Sequence, residues 1–155
     1  MISRDLVPGA LLVACAACGG RPPPADSAPR GQVILEIPAP SFALDIGSLL
    51  GTEWALWRTG AVVDTLQLRE IAHSLAIEAR GTPCEGTWPL VECTWNGERL
   101  GRFRIRSPDW EWYQVDRAFG PGTGVLRIAL LNDRFSPQGD LNLYIRMAVI
   151  TGEHR

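Results

Sequence analysis

The sequence predicts an all-β fold, an antiparallel two-sheet β-sandwich of the jelly-roll kind, and three observations lead there. From residue 32 onward, short apolar-alternating runs recur at the spacing of sandwiches and barrels, separated by turn residues. Asn96-Gly97 stands between two such runs, the strongest short-range hairpin signal. No stretch sustains a capped helical period, and only residues 41–50 leave room for one short helical turn. At 155 residues, one such domain can bury a real core.

Taken in order, the chain begins with Arg4 and a short apolar run from Leu6 to Ala17, broken by Pro8 and Gly9. That run is well below the roughly 20 residues needed to span a bilayer, so residues 1–14 read as a signal peptide. Leu12-Val13-Ala14-Cys15 resembles the bacterial lipobox, which implies cleavage before Cys15 and lipidation there. Cys18 fits less well, because Cys15 occupies the position that should be aliphatic. Ala16, in place of an acid after the anchor, points to the outer rather than the inner membrane of a bacterial envelope. Residues 15–31 are rich in Pro and Gly and have no apolar periodicity, so they form a linker. The folded domain then occupies residues 32–155, and its membrane contact is through the lipid alone.

Within the domain, residues 32–37 alternate and stop at Pro38. Runs at 54–57 and 62–68 flank Arg58-Thr59-Gly60, and 74–79 alternates Leu75, Ile77 and Ala79 on one side with Ala76, Glu78 and Arg80 on the other. Residues 90–95 and 99–106 make the Asn-Gly hairpin, and 111–117 follows. Runs at 125–131 and 141–150 flank a polar segment from Asn132 to Asp140, so they predict two strands and a loop.

That loop is where chemistry concentrates. Asn132, Asp133, Asp140 and Asn142 bring two carboxylates and two amides to strand ends. Hard oxygens on a rigid frame suit Ca²⁺, which takes roughly 6–8 oxygen ligands. The same residues also suit an ordinary turn with a solvated Asp140, and their order is not that of an EF-hand. Other classes are excluded more readily. A net charge of −2 without a basic cluster argues against nucleic acid. Only His73 and His154 exist, and no nucleophile, metal-histidine or phosphate-loop motif occurs, so the sequence predicts no enzyme. Cys84 and Cys93 stand either as a disulfide or as two buried thiols. Of the six Trp, Trp54, Trp57 and Trp110 sit in or beside strands and read, with Tyr113, as packing residues. Trp88, beside a loop and before Pro89, is placed to reach a rim where aromatic rings stack on sugars.

Several motifs in the right order carry a resemblance. Ala79-Arg-Gly-Thr-Pro-Cys84-Glu-Gly, Trp95-Asn-Gly97-Glu-Arg-Leu, Trp110-Glu-Trp-Tyr113-Gln-Val, Leu131-Asn132-Asp133 and Asp140-Leu-Asn142-Leu-Tyr144 are similar to segments of calcium-dependent xylan-binding modules. The likeness spans about residues 57–150. It implies a β-sandwich that binds xylan or a related polysaccharide without catalysis, with Ca²⁺ bridging loop oxygens to vicinal sugar hydroxyls. On the matching positions it implies Asp133 and Asp140 as leading metal ligands, Asn132 and Asn142 as amide donors or braces, and Glu85 as a further contributor. Leu141 stands where the family usually has Arg, and Arg146 where it usually has Asp, which would oppose the ion if Arg146 lay beside it. Two functions follow from different classes. The first is calcium-assisted polysaccharide binding by an envelope lipoprotein, with Glu85 and Trp88 near the sugar. The other is an assembly lipoprotein that uses the same sandwich for contacts with envelope proteins, without metal.

Overall fold

The computed structural model describes residues 28–153, so the signal segment, the proposed lipid site Cys15, most of the linker and His154 lie outside the described residues. Thirteen strands are formed among the described residues: β1 Val33–Pro38, β2 Ala43–Leu44, β3 Ser48–Leu50, β4 Glu53–Leu56, β5 Gly60–Leu68, β6 Ala72–Thr82 and β7 Leu90–Trp95 come first. They are followed by β8 Glu98–Arg104, β9 Glu111–Phe119, β10 Gly122–Leu130, β11 Phe135–Ser136, β12 Gly139–Asp140 and β13 Asn142–Thr151. One sheet runs β3-β4-β13-β6-β9, with β1 also paired to β13; the other runs β2-β5-β10-β7-β8. All these pairings are antiparallel. The all-β two-sheet sandwich expected from the sequence is therefore the fold.

Alternation explains the core. Leu75, Ile77 and Ala79 of β6, Leu143 and Ile145 of β13, Leu126, Ile128 and Leu130 of β10 and Val91 and Cys93 of β7 are all buried between the sheets. Each Val, Leu or Ile side chain among them that is fully withdrawn contributes about 1.5–3 kcal/mol. The Asn96-Gly97 hairpin forms as predicted: both residues have positive φ, 50° and 82°, the twist that a two-residue hairpin needs. Asn96 is fixed further, its Oδ1 accepting the Val125 N–H at 2.8 Å.

One expectation is corrected, and of the two readings left open for the cysteines the structure shows the thiols. Residues 41–50 do not form a helical turn of their own; a short 3-10 turn at Ala39–Ser41 gives way to β2 and β3, because Ala43 and Leu44 pair with Val63 and Val62. Cys84 and Cys93 are buried but not bridged. Cys93 packs within the five-stranded sheet between Gly101 and Ile128, whereas the Cys84 thiol faces Gly139 O at 3.3 Å and Ser136 Oγ at 3.4 Å.

The sandwich has two poles. Leu56, Gly60, Thr82, Leu90, Leu130 and Asn142 are strand ends at one pole, so the connections 57–59, 83–89 and 131–141 converge there. At the other pole, Gly152 N–H donates to Gln32 O where the domain begins. The ten residues of β13 separate the poles by about 30 Å.

Candidate functional site

The residues singled out by the sequence gather at the first pole, but they do different work. Asn132 is a brace. Its Oδ1 accepts the Leu90 N–H at 2.5 Å and its Nδ2 donates to Trp88 O at 3.0 Å, so both ends of the amide are occupied in fixing the entry to β7. Asp133 is exposed; its N–H reaches Thr59 Oγ1 at 3.4 Å, which ties the connection 57–59 to the loop. Asp140 is half-buried, and its backbone carbonyl accepts Thr82 Oγ1 at 3.0 Å and Asn142 Nδ2 at 3.4 Å. Among the described residues, neither the Asp133 nor the Asp140 carboxylate is hydrogen-bonded or ion-paired. Asn142 spends its NH₂ group on Asp140 O, which leaves its Oδ1 as an available acceptor.

The neighbouring loop is a tight turn. Cys84 and Thr87 exchange both backbone hydrogen bonds at 2.9 Å, and Glu85 and Gly86 between them have φ of 48° and 75°. A glutamate in the left-handed region is uncommon. Here its carboxylate is ion-paired to Arg134 across the gap to the candidate loop. The Glu85 carboxylate thus already has a cationic partner across the gap, in an exposed pair. Trp88 is half-buried, with its carbonyl held by Asn132 and by Arg104 Nη1 at 2.9 Å.

The two departures from the family pattern fall into place. Leu141 is fully buried, and its N–H donates to Arg134 O at 2.8 Å, so it seats the base of the loop. Arg146 lies on the outer face of the six-stranded sheet, paired through two nitrogens to Glu78 and stacked over Trp110 at 4.8 Å. Four residues along β13 put it about 13 Å from Asn142, beyond the roughly 8 Å screening length at physiological salt. Its charge, already balanced by Glu78, does not bear on the loop.

Sequence reasoning missed two aromatic residues at this pole. Trp57 is 37% exposed and not a packing residue, because β4 ends at Leu56 and the next side chain leaves the sheet. Phe135 is 79% exposed at the start of the small β11–β12 hairpin. Trp110 is also not core: it stands on the outer face beneath Arg80 and Arg146. Trp54 and Tyr113 do pack, Trp54 donating its ring N–H to Ala39 O and Tyr113 stacking on Phe103 at 5.6 Å.

The donor set fits a hard cation. Two unpaired carboxylates and a free amide oxygen are oxygen ligands, which Ca²⁺ prefers. Among the described residues no three His, Cys, Asp or Glu side chains converge, so the remaining ligands would be amide, backbone, water or sugar oxygens.

A β-sandwich that gathers hard oxygens and exposed aromatics at one pole is chemically suited to a glycan ligand. The family model of the Ca-dependent xylan-binding carbohydrate-binding module, CBM60, matches residues 74–155, more than half of the chain, and the chain belongs to this family. Among solved structures, a CBM36 module in complex with calcium and xylotriose aligns with a TM-score of 0.65 at 12% identity, covering 76% of this chain and 100% of that one. The CBM36-1 domain of a multidomain xylanase from the hindgut metagenome of Trinervitermes trinervoides aligns with the same TM-score at 15% identity, covering 78% and 98%. An acetyl xylan esterase from Butyrivibrio proteoclasticus aligns at 0.60 and 12% identity over 79% of this chain but only 33% of its own length. At such identities the likeness is one of fold. No curated protein sequence matches the chain.

Proposed function

We propose that this domain binds xylan or a similarly built polysaccharide without catalysis, and that Asp133 and Asp140 hold the Ca²⁺ on which binding depends. The observation that carries the reading is the pair of unpaired carboxylates on a braced loop, in a chain that belongs to a calcium-dependent xylan-binding family. When bound, the ion supplies coordination positions at which two vicinal sugar hydroxyls replace water. The chain's own residues do the rest. Asn132 and the Glu85–Arg134 pair hold the loop in place, Asn142 keeps an amide oxygen free of protein partners, and Trp88 borders it.

We further propose that the chain is a bacterial lipoprotein, lipidated at Cys15 and carried by the outer membrane. The polarity of the sandwich supports this arrangement: the linker joins the domain at the pole opposite the candidate site, so the glycan-binding end would face away from the membrane. Metabolic labelling with a clickable fatty acid should mark the wild-type protein and not Cys15→Ser.

Calorimetric titration of calcium, followed by xylan retardation in native gels with and without chelator, tests the binding reading. Wild type should bind calcium saturably and xylan only with calcium, whereas Asp133→Ala and Asp140→Ala should lose both. Arg146→Ala should leave calcium affinity within about two-fold, because its charge lies beyond the screening length. Xylan retardation that persists in chelator would sink the metal role, and no retardation at all would favour the protein-contact alternative.

A further inference from the structure

The outer face of the five-stranded sheet carries charge of one sign. Its registers set Arg99, Arg102 and Arg104 of β8 opposite Thr94, Glu92 and Leu90 of β7, and Thr94 in turn opposite Arg127 of β10. These positions alternate with the core-facing Val91, Cys93, Phe103 and Ile128, so they point away from the core. The other outward positions of β5, β7 and β10 are Ala, Val, Thr, Gln or Leu. Four guanidinium groups thus share this face with one carboxylate, Glu92, which Arg102 holds through Nε at 3.1 Å and Nη2 at 2.6 Å. Among the described residues, Arg99, Arg104 and Arg127 have no ion-pair partner. The outer face of the other sheet differs, because Arg80 and Arg146 each meet a glutamate there. In sequence the four arginines are spread from 99 to 127 and form no basic cluster; antiparallel pairing gathers them. Arg99 and Arg127 flank Thr94 at about two strand spacings, roughly 10 Å. Arg104 donates from Nη1 to Trp88 O at 2.9 Å, the carbonyl that Asn132 also holds. The cationic patch therefore begins beside the candidate loop and runs down the side of the sandwich.

We propose that this face is a second binding surface, independent of calcium, for an acidic polysaccharide whose uronate carboxylates pair with Arg99, Arg104 and Arg127. The choice of a glycan rests on the glycan-binding reading of the domain; the surface itself needs no metal. A guanidinium presents a planar fork of N–H donors that matches a carboxylate, as the Arg102–Glu92 pair already shows on this face. A single exposed pair is weak. An extended acidic polymer can lie along a sheet face and engage several arginines at once, so that weak pairs reinforce one another. Nucleic acid fits less well. No outward residue of this face is aromatic, so bases have nothing to stack on. The sheet is also too broad for a duplex major groove, which admits a helix or a two-stranded ribbon. A position beside the pole opposite the linker favours a polymer in solution over a bilayer surface.

The test uses the whole chain in chelator, which silences the candidate loop, with polygalacturonate and its fully methyl-esterified form as probes in affinity electrophoresis. At about 0.01 M salt, where exposed charges act over roughly 30 Å, wild type should bind polygalacturonate and not the ester. At about 0.15 M salt, where that length falls to roughly 8 Å, binding should weaken about ten-fold or more. Arg99→Gln combined with Arg127→Gln should weaken it about ten-fold, the sum of two exposed pairs. Glu92→Gln reads the same surface with the opposite sign: it releases Arg102 and should tighten binding about two-fold. Calcium affinity, titrated separately without chelator, should stay within about two-fold in both variants. Equal binding of the ester overturns the role of charge. Unchanged polygalacturonate affinity in the double variant, or weaker binding in Glu92→Gln, overturns the assignment to this face. Equal retention by anionic phospholipid vesicles overturns the choice of partner. Wild type that binds calcium and xylan but no polygalacturonate overturns this surface and leaves the proposed function standing. Polygalacturonate binding without calcium-dependent xylan binding supports the surface and overturns the loop reading alone.

Discussion

At the scale of single residues, the candidate loop divides its labour between bracing and ligation, although the four polar residues look alike in sequence. Asn132 uses both ends of its amide on the backbone of 88–90, and Asp133 uses none of its carboxylate on protein. Their truncations should then separate. Asn132→Ala leaves the Leu90 N–H without its acceptor and should cost about 1–3 kcal/mol of folding free energy, measured by urea unfolding. Asp133→Ala removes an exposed group without a partner and should stay within about 0.5 kcal/mol of wild type while calcium binding is lost. If both variants lose calcium without losing stability, Asn132 is a ligand and not a brace. Glu85 belongs with Asn132 in this division, since its carboxylate meets Arg134.

At the scale of elements, two glycines in adjoining strands and turns answer to different physics. A Cβ at Gly124 would lie 2.1 Å from the ring of Trp95, which is buried and packed on Phe119 at 5.3 Å and cannot swing aside. Gly97 has φ of 82° and open space around a Cβ, so only backbone strain opposes substitution there. Gly97→Ala should cost about 1–2 kcal/mol, whereas Gly124→Ala should cost about 1–3 kcal/mol, or more, through overpacking. Thermal midpoints in the reverse order would mean that Trp95 has room the packing denies it. The Asn96-Gly97 turn was legible in sequence because its determinants are local, as were the strands with sustained alternation. The two-residue strands β2, β11 and β12 were not legible, because pairing with distant partners creates them and their own composition does not. The same reason hides the Glu85–Arg134 pair, whose members are 49 residues apart. Asp133 and Asp140 could be found from residue type and from resemblance to a family. Phe135 could not, since a phenylalanine near a strand end reads as core until the hairpin turns it outward.

At the scale of the whole molecule, both sheets close over one core, so a group buried at its centre reports on global unfolding. Cys93 is such a group: it is fully buried in β7, and burial first, with the neighbouring Glu92 charge second, pushes its thiol from 9.0 up to about 12. Tyr113 is also raised, from 10.0 to about 12, chiefly by burial. Both groups hold their protons longer in the folded chain than in the unfolded one. Their contribution to stability is therefore complete below the unfolded values and is lost as pH rises through the folded ones. Above pH 9 the unfolded chain sheds the Cys93 proton while the folded chain keeps it, and stability should fall at about 1.4 kcal/mol per pH unit. From pH 10, Tyr113 adds to the slope. Cys93→Ala removes the first contribution, at the expense of a small cavity that lowers stability at every pH. Urea midpoints between pH 8 and 11 should thus decline from about pH 9 in wild type and only from about pH 10 in the variant. Parallel declines in the two proteins would show that the thiol titrates no differently when folded, and the alkaline limit would then belong to the other ionisable groups.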